Sequence, residues 1–150
     1  MKRIRNMPSV AVVVHPDGGA KHPVALSFEQ EGALGRALCV LSKFSDQQPV
    51  AVIASSAEGI SEYTKLIAKH LCTEEVTTCE GLLRDQASGD LEDGCDCVGD
   101  YLEPPYPSFG LVVVIIARDI APALVQSLSR RIGKKFMPMF TQGMTPVWVA

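Results

Sequence analysis

The sequence predicts an α/β domain with helices on both faces of a mostly parallel sheet. Three observations carry that prediction. Apolar, β-branched runs such as Val10 to Val14 and Leu111 to Ala117 do not alternate with polar residues, which marks strands buried on both faces. Stretches with apolar residues at three- and four-residue spacing fall between these runs. The 150 residues, 47% hydrophobic and 21% charged, suit one domain with one core.

The elements follow in order. Ser9 to His15 is a central strand, ended by Pro16-Asp17-Gly18-Gly19. Ser27 and Gln30 read as a capping box opening a helix whose stripe is Ala33, Leu34, Ala37, Leu38 and Leu41. Pro49 to Ala54 is a second buried strand that runs into Ser55-Ser56, and a helix from about Ala57 to Leu71 turns Ile60, Tyr63, Thr64, Ile67 and Leu71 inward. Glu75 to Cys79 is a short third strand. Leu111 to Ala117 leads to a helix from Asp119, with Pro122 tolerated in its first turn and Gly133 as its stop. Thr145 to Ala150 adds a strand placed at the sheet edge, because Pro146 has no N–H to give a central ladder. Strand and helix alternate, so the crossovers are right-handed and the sheet is covered on both sides.

Between these elements lies an exception. Asp90, Glu92, Asp93, Asp96, Asp100 and Glu103 bring six acids, and Pro104-Pro105-Tyr106-Pro107 follows. Residues 85–110 therefore read as an acidic, proline-containing loop with room for a short helix. No repeat or composition break divides the chain, and 1–150 reads as one domain.

Composition excludes some functions. A net charge of -3 argues against electrostatic capture of nucleic acid. The longest apolar run, Leu111 to Ala117, is far short of a bilayer span of roughly 20 residues, so no membrane partner is expected. The basic start Met1 to Asn6 lacks a hydrophobic signal core behind it, and a cytoplasmic location is expected. Five cysteines, an odd number, are no disulfide framework; Cys39 and Cys72, inside helical patterns, read as small core residues. Cys95-Asp96-Cys97 lacks the spacing of a zinc site, and His15, Asp17 and His22 have no ligand pattern, so no metal and no cofactor are expected. On an exposed loop Cys95 and Cys97 would be open to oxidation, but Asp93 and Asp96 should raise their pKa and blunt that.

Sites in parallel sheets lie at the carboxyl ends of the strands. That rule selects three places. His15 ends a buried strand before a glycine turn, where the amides of Gly18 and Gly19 can approach an anion; alternatively it is a plain turn histidine. Ser55 and Ser56 can offer hydroxyls and first-turn amides to a phosphate, or one of them can simply cap the next helix. Arg118 suits phosphate or carboxylate recognition, or pairs with Asp119. Arg130, Arg131, Lys134 and Lys135 form a basic patch that complements a helix C-terminus and can also meet the acidic stretch, within one chain or between two.

These strand ends resemble the histidine phosphatase superfamily, with its phosphoglycerate mutase-like fold, and especially its short phosphohistidine-phosphatase-like branch. The matching positions are Val10 to His15, Leu26-Ser27 with Glu31-Gly32, Ile53-Ala54-Ser55-Ser56, Thr64 with Leu66-Ile67-Ala68, and Leu111 to Ala117 with Asp119 to Leu128. The resemblance spans roughly residues 8–132 and rests on pattern more than on motif. It implies a three-layer α/β/α sandwich whose sheet includes an antiparallel edge strand, and a nucleophilic histidine at His15.

The rest of the family's catalytic set does not carry over. Its arginine before the histidine is Val14 here, and its following glycine is Pro16. Its second arginine would fall near Ile60 and its second histidine on Arg118; its acidic proton donor has no match. Phosphoryl transfer to an imidazole requires cations around the equatorial oxygens and a proton for the leaving group. Losing two arginines and a histidine removes preorganisation worth several kcal/mol. The expectation is therefore a degenerate phosphatase-like domain that binds or regulates, with a weak anion site at His15, Gly18, Gly19, Ser55, Ser56 and Arg118. Its partner would be a phosphate-containing small molecule or a phosphoprotein. The alternatives are a divergent phosphatase using His15 as phosphoryl acceptor, and an unrelated flavodoxin-like or receiver-like domain with an all-parallel sheet.

Overall fold

The computed structural model describes residues 9–15, 35, 37–43, 49–55, 58–79, 90–102, 110–117, 120–139 and 147–150. In chain order these form β1 (Ser9–His15), α1 (37–43), β2 (Val50–Ser55), α2 (Glu58–His70) and β3 (Val76–Cys79). They are followed by α3 (Asp90–Gly99), β4 (Leu111–Ala117), α4 (Ala121–Ile132), β5 (Met137–Met139) and β6 (Val147–Val149). The capping box at Ser27 and Gln30 lies outside the described residues.

The six strands form one sheet in the order β3-β2-β4-β1-β6-β5. β3, β2, β4 and β1 are mutually parallel. β4, late in the chain, lies between the two earliest strands, so Ser9 aligns with Leu111 and Val50 with the same Leu111. β6 runs antiparallel to β1, and β5 antiparallel to β6. This mixed sheet removes the all-parallel alternative.

One detail of the predicted edge changes. The last strand begins at Val147, after Pro146, and lies between β1 and β5. Pro146 is outside the strand and so does not decide where it sits. β5 takes the outermost place, and Pro138 within it fits that place, since an edge strand tolerates a missing N–H. Three residues with a central proline carry no periodicity, which is why β5 was not legible beforehand.

The unbroken apolar runs are explained by the two cores. Val10, Val12, Val14, Val112, Val114 and Ile116 face a cluster completed by α3 and α4. Ala11, Val13, Val50, Val52, Val113 and Ile115 face the other cluster, completed by α1 and α2. Each fully buried valine or isoleucine contributes about 1.5–3 kcal/mol.

The helix ends are set by local chemistry. α4 carries proline in its first turn and stops at Gly133, whose φ of +71° is the left-handed conformation that glycine adopts without strain; its N–H bonds the Ser129 carbonyl at 3.0 Å. α2 ends in a Schellman turn: the Thr73 N–H reaches the Ala68 carbonyl at 3.1 Å and the Cys72 N–H the Lys69 carbonyl at 3.2 Å. There Cys72, rather than glycine, holds the left-handed position at φ +57°. The Thr73 hydroxyl then donates to the Val50 carbonyl at 2.6 Å and ties the turn to β2.

The acidic stretch needs a correction. Within residues 85–110, Asp90–Gly99 is a regular ten-residue helix, and Cys95 is buried and Cys97 half-buried rather than on an exposed loop. Its inward positions hold Gly94, Cys95, Val98 and Gly99, small residues that leave a faint apolar stripe. Asp96 pairs with Arg131 on α4, so part of the basic patch meets the acidic stretch within one chain.

Candidate functional site

β1, β2, β3 and β4 all point their carboxyl ends to one edge of the sheet. At that edge His15 is in register with Ala117, the last residue of β4. On the other side of β4, Ala54 aligns with Ile115, which sets Ser55 level with Ile116. The backbones of His15 and Ser55 thus flank the end of β4, about two strand spacings or roughly 10 Å apart. Arg118 follows Ala117 directly in the sequence. His15 enters this description through its backbone; Gly18, Gly19, Ser56 and Arg118 lie outside the described residues.

Ser55 is 3% exposed and is not free, because its polar group is engaged within the protein. Its neighbour in register on β3 is Cys79, itself buried. Ser55 therefore stands buried at this edge, beside Cys79. Thr64, one of the positions in the matching pattern, is also buried, and its hydroxyl donates to the Ile60 carbonyl at 2.9 Å, an internal helix bond. Ile60 is fully buried. The position nearest the family's second arginine thus belongs to the apolar core and supplies no charge to the edge.

One contribution to this edge was not anticipated. α4 begins at Ala121, four residues on from the end of β4, and Ile120 at its cap position gives no side-chain hydrogen bond, with no acid in the first turn. Helix N-terminal amides carry partial positive charge and favour anions. The sequence signal was the missing Ser, Thr or Asn before Ala121, which becomes meaningful once the strand order sets α4 beside β4.

The opposite edge holds a different feature. An open cleft of about 530 Å³ lies at the amino ends of β2 and β3, lined by Pro49, Val50, Leu71, Cys72, Thr73, Glu74 and Glu75. Its two carboxylates would repel a phosphate, and it is a sheet length away from His15. Ser42 and His70 meet nearby at 3.3 Å, both exposed. Among the described residues, no three His, Cys, Asp or Glu side chains form a metal-binding group, and no helix is long and apolar enough to cross a membrane.

Comparison with known proteins gives fold information. No family model matches the chain. No curated protein matches it either. Among solved structures, a phosphoglycerate mutase from Plasmodium falciparum is similar with a TM-score of 0.62 at 11% identity, covering 95% of this chain and 98% of the other. The product of an open reading frame from Mycobacterium tuberculosis is similar with a TM-score of 0.57 at 11% identity, covering 95% of this chain and 96% of that one. With a mixed six-stranded sheet and helices on both faces, the chain has the phosphoglycerate mutase-like fold.

Proposed function

We propose that this domain keeps the phosphoglycerate mutase-like fold without its turnover and acts as a binding or regulatory module for a phosphate-bearing small molecule or phosphoprotein. The observation that carries the reading is the carboxyl edge itself. His15 ends β1 beside the end of β4, while Val14, Pro16 and Arg118 stand where the resemblance calls for arginine, glycine and histidine. An arginine near that edge attracts an anion but holds its proton, so it cannot protonate a leaving group. Ile60 in the core leaves a second phosphate clamp unfilled at its position. The uncapped start of α4 adds amides that favour a phosphate, and Asp119 opposes it.

Two measurements test this. Purified protein incubated with p-nitrophenyl phosphate and with phosphohistidine is expected to show no turnover above a blank. Titration calorimetry with inorganic phosphate is expected to show weak binding, with a Kd on the order of 1 mM, that Arg118→Ala removes. Turnover that disappears in His15→Ala would overturn the reading in favour of a divergent phosphatase. Phosphate binding unchanged in Arg118→Ala would overturn the site.

A further inference from the structure

β3 and α3 are antiparallel neighbours, because the chain leaves β3 at the carboxyl edge and returns along α3. Thr77 and Cys79 are two residues apart on β3 and share a face; Cys97 is on α3 and Tyr101 follows in the turn that closes it, where the Tyr101 N–H bonds the Val98 carbonyl at 3.0 Å. Thr77 Oγ1 and Tyr101 Oη are hydrogen-bonded at 2.5 Å. Two residues of strand advance about 6.8 Å and four of helix about 6 Å. Stepping forward from Thr77 and back from Tyr101 therefore brings Cys79 opposite Cys97. Both side chains pack in the same apolar cluster, and the two thiols are hydrogen-bonded. Cys95, two residues away on α3, is buried in that cluster as well. None of the five cysteines is in a disulfide, and Cys39 and Cys72, expected in the core, are exposed.

We propose that Cys79 and Cys97 are a redox modification site that closes to a reversible disulfide and staples the edge strand β3 to α3 beside Ser55. The oxidant is a small-molecule disulfide. Burial first, then the hydrogen bond and charge of Cys79, then Asp100, push the Cys97 thiol up to about 12. The acid that raises it is Asp100 rather than Asp96. Cys97 thus keeps its proton, and the Cys79 sulfur is the one that attacks. A bond forms between Cys79 Sγ and one sulfur of the small disulfide, and its other sulfur leaves as a thiolate. The Cys97 sulfur then gives up its proton, attacks Cys79 Sγ and expels the second small thiolate. Two protein thiols are oxidised, one disulfide is reduced to two thiols, and the leaving groups take up the two protons. This proposal uses no part of the anion site and stands or falls apart from it.

The test uses the full chain carrying Cys39→Ser and Cys72→Ser, which removes the two exposed thiols, together with the wild-type chain. Each is incubated with bis(2-hydroxyethyl) disulfide, alkylated and mapped by non-reducing peptide mass spectrometry. The expected product is a linked pair of peptides joining Cys79 to Cys97, reversed by dithiothreitol. In Cys97→Ser, Cys79 should instead carry one hydroxyethylthio group. The closed form should melt roughly 5 °C higher than the reduced form, since the bridge shortens the unfolded chain's freedom. Cys79 and Cys97 recovered as separately alkylated thiols would overturn the proposal, as would Cys95 taking the place of either one.

Discussion

On one side of the sheet Leu41, Ile60, Tyr63 and Ile67 from α1 and α2 are fully buried, so that interface is filled by large side chains. On the other side Leu124 and Leu128 do the same beneath α4, but α3 turns in Cys95, Val98 and two glycines. The strands present similar valines and isoleucines to both sides, so the difference lies in the helices. Among the described residues of α3 the inward side chains are small, and polar contacts help to place it. Tyr101, just beyond its end, bonds Thr77 on β3, and Asp96 pairs with Arg131 on α4. An element with few large apolar side chains takes its position from such ties, and that is where polar substitutions should register.

Substitutions on the two sides sharpen this contrast. Ile67→Ala under α2 and Leu124→Ala under α4 should each cost about 2–5 kcal/mol in urea unfolding, because both residues are fully buried and leave cavities. Val98→Ala under α3 should cost less, about 1–2 kcal/mol, since only two carbons leave the core. Equal losses at all three positions would break the contrast. Tyr101→Phe should cost about 1 kcal/mol by stranding the half-buried Thr77 hydroxyl, read by the same unfolding curves. Indifference there would show that α3 holds its place without the polar tie. Arg131→Ala should matter least, below about 1 kcal/mol and less again at high salt, because both partners are substantially exposed at 41% and 59%. A loss that persists in 1 M salt would instead point to lost packing of the Arg131 guanidinium beside Gly99.

The same contrast explains what could be read beforehand. β1 and β4 were legible because burial on both faces demands uninterrupted β-branched residues, a pattern few other settings produce. α2 and α4 were legible through their large apolar stripes and, for α4, its proline and Gly133 stop. α3 escaped as a defined element because its buried face is built from cysteine, glycine and one valine among acids. The carboxyl-edge rule was enough to set His15 and Ser55 on the two flanks of β4, since both follow from strand direction. That Ser55 is enclosed, and that α4 opens uncapped at this edge, depend on neighbours distant in sequence. Local residue order does not encode them.

The place of β4 also bears on how the molecule comes to be. β1 precedes both of its partners by a long stretch of chain: Ser9 finds Leu111 on one side, and Val13 finds Val147 on the other. Until β4 is made, a chain emerging from the ribosome therefore carries the apolar run Val10 to Val14 without its sheet partners. The centre of the sheet cannot nucleate from adjacent pieces and must wait for long-range closure, which slows folding and prolongs exposure to self-association. Nascent chains ending before β4 would hold β1 and β2 with the gap between them still open, and these are the species on which a holding chaperone would act.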